Sequence, residues 1–221
     1  MVKAVIFDMD GTIIDTEKHF VVAWTQAAHA LGVSEFTKEH ALLLRSLASK
    51  FAEPMLKEMF GKDFPYTQIR MKRKEIMEER LKKHGIEKMP GVDHVLTSLK
   101  EKGYKLAVAT ASDYERASSY LKAVDLLNLF DQIICAPDVE NGKPYPDVYL
   151  HACQQLGEKP ENCIAVEDAP NGVLSAYRAG TKVIMVPDLT RPDEKLSKML
   201  YKKADCLEDL MKLLYPEQRL A

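Results

Sequence analysis

The chain is poor in the features that mark several classes of protein. It has only four cysteines in 221 residues, Cys135, Cys153, Cys163 and Cys206, and no two of them form a CxxC pair. A chain this long needs no disulfide framework, so these thiols read as reduced, mostly buried small hydrophobes. No apolar run reaches the roughly 18–20 residues that span a bilayer. The stretch from Met1 to Phe7 is too short for a secretion signal and runs straight into acidic residues. An excess of one charge is missing too. The 31 Lys and Arg against 33 Asp and Glu leave a formal net charge of −2, without the basic surplus of a general nucleic-acid binder. No internal repeat or low-complexity segment is visible. The expectation is a globular cytoplasmic protein, a monomer by default, with no nucleic-acid or membrane partner.

What is present is an alternation. Short runs of branched aliphatic residues at 3–7, 105–110, 132–135, 163–166 and 182–186, with a weaker candidate at 204–206, suit strands buried on both faces. Between them lie helical patterns: Val95, Leu96 and Leu99; Ala117, Leu121 and Val124; Tyr149, Ala152 and Cys153; Val173, Leu174 and Tyr177. Three of these close at Gly103, Gly157 and Gly180. The pattern predicts βαβ units and a parallel α/β sheet. Residues 15–87 break the rhythm. Phe20, Trp24, Ala28 and Leu31 recur at helical spacing, and 37–60 and 68–83 also read as helices. The expectation is a sheet domain formed by 1–14 and 88–221, with a helical lid of residues 15–87 inserted after the first strand. The run from Arg70 to Lys83 carries both signs of charge and reads as a solvated helix face.

Ligands bind at the carboxyl ends of strands in a parallel sheet. Those ends carry Asp8-Met9-Asp10-Gly11-Thr12, Thr110-Ala111-Ser112, Lys143 across a loop, and Glu167-Asp168. Asp8, Asp10, Glu167 and Asp168 brought together would repel one another, and a hard divalent cation such as Mg²⁺ relieves that. Lys143 and the hydroxyls of Thr110 and Ser112 then suit a phosphate beside the metal. Asp8 and Asp10, two apart on an extended segment, share a face. One can attack phosphorus while the other moves a proton. Gly11 permits a sharp turn beside them.

These residues resemble the four motifs of the haloacid dehalogenase superfamily, in order, from Phe7 to about Gly180. The segment VEDAPNGV at 166–173 is similar to the branch that holds β-phosphoglucomutase and small sugar-phosphate phosphatases. The resemblance implies a Rossmann-like core with a helical cap. It implies Asp8 as nucleophile and metal ligand, and Asp10 as general acid/base whose backbone carbonyl also binds Mg²⁺. Asp168 and Glu167 complete the metal set, and Thr110, Ser112 and Lys143 hold phosphate with backbone N–H groups near Asp10, Gly11 and Ala111. A second aspartate suits an alkoxide leaving group, whereas halide departs without protonation.

The lid separates phosphatase from phosphohexomutase. The mutase pattern places a histidine where this chain has Phe20. Its neighbour His19 lies about 100° round a helix and is either a substrate residue or a solvated one. Arg45 and Lys50 either reach a second anionic group on the substrate or are surface cations. The expected activity is a Mg²⁺-dependent phosphatase acting on a small phosphorylated metabolite, a sugar phosphate by resemblance, through an aspartyl phosphate. The alternative is a β-phosphoglucomutase-like phosphohexomutase.

Overall fold

The computed structural model describes residues 1–215; the part of the expected core at 216–221 lies outside the described residues. Six parallel strands form one sheet: β1 (Ala4–Phe7), β2 (Lys105–Thr110), β3 (Gln132–Cys135), β4 (Cys163–Glu167), β5 (Lys182–Met185) and β6 (Lys202–Lys203). Their spatial order is β3-β2-β1-β4-β5-β6. The chain builds outward from β1 on one side through β2 and β3, then returns to lay β4, β5 and β6 on the other. The reversal opens a crevice at the carboxyl ends of β1 and β4.

Alternation along each strand sends side chains to two apolar layers. Val5, Phe7, Leu106, Val108, Ile164, Val166 and Ile184 face a core shared with helices α5 (Val92–Glu101) and α6 (Tyr114–Ala123). Ala4, Ile6, Ala107, Ala109, Ile134, Ala165, Val183 and Met185 face the other, shared with α7 (Asp147–Gln155) and α8 (Pro170–Arg178). The last strand departs from its expected place. It pairs at Lys202 and Lys203, and the amide of Ala204 makes the last bond of the ladder, to the carbonyl of Met185.

Between β1 and α5 lie four helices, α1 (Glu17–Ala30), α2 (Lys38–Leu43), α3 (Ser49–Phe60) and α4 (Tyr66–His84). They bury a third apolar cluster of Val21, Trp24, Phe36, Leu44, Leu56, Phe64 and Ile69. The pattern over 37–60 predicts one helix; the structure has two. The chain breaks at 44–48, where Ser46 adopts φ 54°, a left-handed conformation that costs a non-glycine residue about 1–3 kcal/mol. Partners from the sheet side hold this break. The Asn171 Nδ2 donates to the Arg45 carbonyl at 2.9 Å and the Ala48 amide to the Lys143 carbonyl at 3.0 Å. Tertiary hydrogen bonds here override helix propensity.

Candidate active site

The Asp8 amide continues β1 by bonding the carbonyl of Val166 at 2.9 Å, which sets Asp8 directly beside the end of β4. The chain then turns at Gly11, with φ 83°. A side chain there would collide with the carboxylate of Asp168, so the turn needs glycine for space as well as for conformation. The Gly11 amide is spent on the carbonyl of Ile14 at 2.8 Å. Gly11 therefore shapes the site, and its own N–H is not free for phosphate as the resemblance implied.

Asp8, Glu167 and Asp168 offer ligand atoms that all lie within 4.8 Å of one another, and all three residues are buried. Lys143, 1% exposed, donates to Asp8 Oδ1 and Glu167 Oε1, each at 2.6 Å. The Tyr149 hydroxyl donates to Glu167 Oε1 at 2.5 Å. Lys143 thus differs from the expectation of a cation left over for phosphate, because two carboxylates claim it first. Burial works against its charge, but Asp8 and then Glu167 outweigh that and hold its pKa above the usual lysine value.

Arg45 departs further from expectation. It is 0% exposed, neither a surface cation nor a residue at the cavity wall. Its Nε donates to Glu17 Oε2 at 3.1 Å and its Nη1 to Thr190 Oγ1 at 3.1 Å. Its Nη2 reaches Asp168 Oδ2, and also Asp188 Oδ2 at 3.4 Å. The break at 44–48 turns this side chain inward, where the acid cluster attracts it.

Even so, positive charge is short. Burial pushes the Asp8 carboxyl up to about 7, with Glu167 and Asp10 adding to the effect, and pushes Glu17 up to about 8. Asp168 is also raised well above the carboxylate range by burial. Asp8 Oδ2 and Glu167 Oε2 are buried without any hydrogen-bond partner. Two orphaned oxygens in a cluster of hard carboxylate donors fit a divalent cation of the Mg²⁺ type.

Asp10 stands apart from that cluster. Its Oδ1 accepts from Thr16 Oγ1 at 2.5 Å and from Arg116 Nη2 at 2.8 Å, and its Oδ2 accepts from Ser112 Oγ at 3.4 Å. Thr110 Oγ1 accepts the Ser112 amide at 3.1 Å and so orders the loop after β2. Asp8, Asp10, Thr110, Ala111 and Ser112 line a cavity of about 900 Å³ between the sheet ends and the four helices. Its far wall carries Phe20 and Trp24 of α1, Lys50 of α3, and Arg70, Arg73 and Lys74 of α4.

Lys50 lines this cavity and donates to Asn141 Oδ1 at 2.9 Å. His19 does not line it. Phe20 and Trp24 take the cavity side of α1, and His19 turns the other way to stack on His84 at 5.4 Å. It is 5% exposed, so it is neither the substrate residue nor the solvated one expected.

Sequence reasoning missed Glu17, Arg116, Tyr149, Asp188 and Arg73. Arg116 carried a usable signal, since it sits in the first turn of α6 directly after the Thr110 loop. Asp188 follows β5, beyond the strand ends that carry the four motifs. Glu17 looks like an ordinary first-turn acid, and Arg73 lies in the run read as a solvated face.

A buried acid cluster at the carboxyl ends of adjoining parallel strands, under a helical insertion, marks an α/β protein with a carboxylate-built site. The chain belongs to the haloacid dehalogenase-like hydrolase family, whose model matches residues 5–186. It is 32% identical over 186 residues to the phosphorylated carbohydrates phosphatase of Thermotoga maritima, covering 82% of this chain and 83% of that one. It is 27% identical over 186 residues to the β-phosphoglucomutase of Bacillus subtilis, covering 80% of each. Among solved structures it resembles a hydrolase from Pseudomonas syringae, with a TM-score of 0.83 and 25% identity over 97% of this chain and 99% of that one.

Proposed function

We propose that the chain is a Mg²⁺-dependent phosphatase that hydrolyses a small phosphorylated metabolite, with residues 15–87 as a cap over the core formed by 1–14 and 88–221. The observation that carries the reading is the separation of two aspartates at one cavity. Asp8 lies among the buried acids and Lys143, whereas the Asp10 carboxylate is held away from them by Thr16, Ser112 and Arg116.

Asp8 attacks phosphorus in line with the ester oxygen, and the P–O bond to the leaving group breaks as an aspartyl phosphate forms. Asp10 gives its proton to the departing alkoxide. It then takes a proton from water, which attacks the aspartyl phosphate and releases phosphate with Asp8 restored. Lys143 holds Asp8 in its attacking orientation, and Thr110, Ala111 and Ser112 line the phosphate side. Asp8, Glu167 and Asp168, with the Asp10 carbonyl, would hold Mg²⁺, which when bound would neutralise charge on the phosphoryl oxygens.

Buried, unpaired Cys135, Cys153 and Cys163 suit the reducing cytoplasm. No helix among the described residues is long and apolar enough to cross a membrane.

The phosphohexomutase reading draws support from the β-phosphoglucomutase relative. Against it, the position where the mutase pattern has histidine is Phe20, packed on Trp24 at 6.1 Å, and His19 faces away. The test is phosphate release from a panel of sugar and other metabolite phosphates with Mg²⁺, for the wild type and Asp8→Asn. The expected result is release by the wild type and a loss of at least ~1000-fold in the variant, the scale of a lost nucleophile. Conversion of β-glucose 1-phosphate to glucose 6-phosphate without release would favour the mutase. Unchanged release by Asp8→Asn would overturn the mechanism.

A further inference from the structure

The cavity wall holds donors that no described residue satisfies. Trp24 Nε1, Arg73 Nε and Arg116 Nε are buried without a hydrogen-bond partner, and all three residues line the same cavity. Arg73 makes no ion pair with any described residue. It is held instead by aromatic faces, its guanidinium 5.2 Å from the Phe20 ring and 5.5 Å from the Trp24 ring. Arg116 rests 5.0 Å from the Tyr120 ring and spends Nη2 on Asp10.

The two guanidinium groups oppose each other. Burial, and next the charge of Arg116, pushes Arg73 down to about 10. Arg70 and Lys74 lie on the same face of α4, at the cavity. Two like charges, with aromatic surroundings and unused planar N–H groups, form a site for an oxyanion, which accepts several such donors at once.

We propose that the substrate carries a second anionic group, a carboxylate or another phosphate, gripped between Arg73 of the cap and Arg116 of the core. The inference rests on the phosphatase reading and narrows its substrate. Arg116 touches Asp10, and Asp10 must reach the ester oxygen, so the second group lies only a few bonds from that oxygen. Binding it brings cap and core together and relieves the repulsion between the two arginines. These residues replace Arg45, whose guanidinium is committed to Glu17, Asp168 and Asp188.

The test compares esters matched except for the second group. The carboxylate arm pairs 3-phosphoglycerate with glycerol 1-phosphate, and the phosphate arm pairs 1,3-propanediol bisphosphate with 3-hydroxypropyl phosphate. With Mg²⁺, kcat/KM is expected to be at least tenfold higher for the doubly anionic member of one arm, which then identifies the group. Arg73→Gln should erase that preference. Phosphate release with no preference in either arm overturns the clamp and leaves the phosphatase reading standing.

Titration calorimetry of the four esters into Asp8→Asn, with and without Arg73→Gln, provides a readout that needs no turnover. Arg73→Gln should weaken the preferred doubly anionic ester at least tenfold more than its partner. Equal weakening of both, or none, overturns the clamp. Absence of phosphate release from every ester, with calorimetry still showing the selective loss, would overturn only the hydrolytic reading.

Discussion

Replacing Arg45 with Met tests the electrostatics of the site most directly. The substitution keeps an unbranched chain of similar reach and removes the guanidinium, leaving Glu17 and Asp168 without their cation. Breaking a buried ion pair on one side costs about 3–5 kcal/mol, because the remaining charges stay buried and uncompensated. For a domain of this size about 1 kcal/mol moves the unfolding midpoint by roughly 2–4 °C, so the expected loss is roughly 6–20 °C. The acids can escape part of that cost by taking up protons. Glu17 is already pushed up to about 8, and Asp168 is raised as well. Arg45 holds both acids lower than burial alone would, so its removal raises them further and keeps them neutral to higher pH, and the variant's deficit should be small at pH 6 and grow toward pH 8.5. The assay is circular dichroism melting in EDTA at both pH values, then with Mg²⁺. Since Arg45 occupies an oxygen of Asp168, Mg²⁺ should raise the midpoint more in the variant than in the wild type. A midpoint within ~2 °C of the wild type in EDTA at pH 8.5 would refute the role of Arg45 as the charge partner.

Two further outcomes are expected. Asp10→Asn should lower kcat/KM, which reports the steps up to departure of the leaving group, about 10²–10⁴-fold on an alkyl phosphate, the usual worth of general acid catalysis, and much less on p-nitrophenyl phosphate, whose leaving group departs without a proton. Equal losses on both would remove the acid role. The wild type without metal should lose stability as pH rises from 5.5 to 8.5. Burial raises the folded-state pKa of Asp8 to about 7 and of Glu17 to about 8, so their contribution is full below the unfolded carboxylate range and is lost as pH passes through 7 and 8. A melting midpoint that rises across that window, or an equal slope in Asp8→Asn, contradicts the assignment.

The strand framework was legible because burial on both faces of a parallel sheet leaves a local mark: short runs such as Leu106-Ala107-Val108-Ala109 have no other economical reading. Residues at the strand ends followed from topology alone, which is how Asp8, Thr110, Lys143, Glu167 and Asp168 could be grouped before any coordinates. What failed was whatever depends on a partner distant in sequence. The break at 44–48 is held by Lys143 and Asn171, about a hundred residues away. It alone decides that Arg45 points inward. The charged face of α4 carries the same pattern whether it meets water or a cavity; only the packing of α4 against α1 puts Arg73 over Phe20 and Trp24. His19 was misjudged for a related reason, since one residue of helix rotation separates the cavity side from the side that meets His84.

Three cations, the buried Lys143 and Arg45 and the partly exposed Arg116, share out the acids of the site. Lys143 belongs to the core and holds Asp8 and Glu167 wherever the cap lies. Arg116 also belongs to the core and fixes Asp10. Arg45 alone comes from the cap, and it serves Asp168 and Glu17. Glu17 lies in the same insertion as Arg45, so moving that insertion away would strip Asp168 alone of its cation, while Lys143 and Arg116 stay with Asp8 and Asp10. Asp168 is at once the acid that loses its partner and one of the three that can hold a metal. With the insertion swung away, as the proposed cap reading allows, its carboxylate would regain water and present full negative charge, which would favour a divalent cation. In the structure Arg45 occupies an oxygen of that carboxylate, so it would compete with the cation. On the proposed cap and metal readings, cap position and metal affinity would be linked through a single side chain, and linkage acts equally in both directions: whatever tightens the hold of Asp168 on a cation would also weaken the hold of Arg45 on the core.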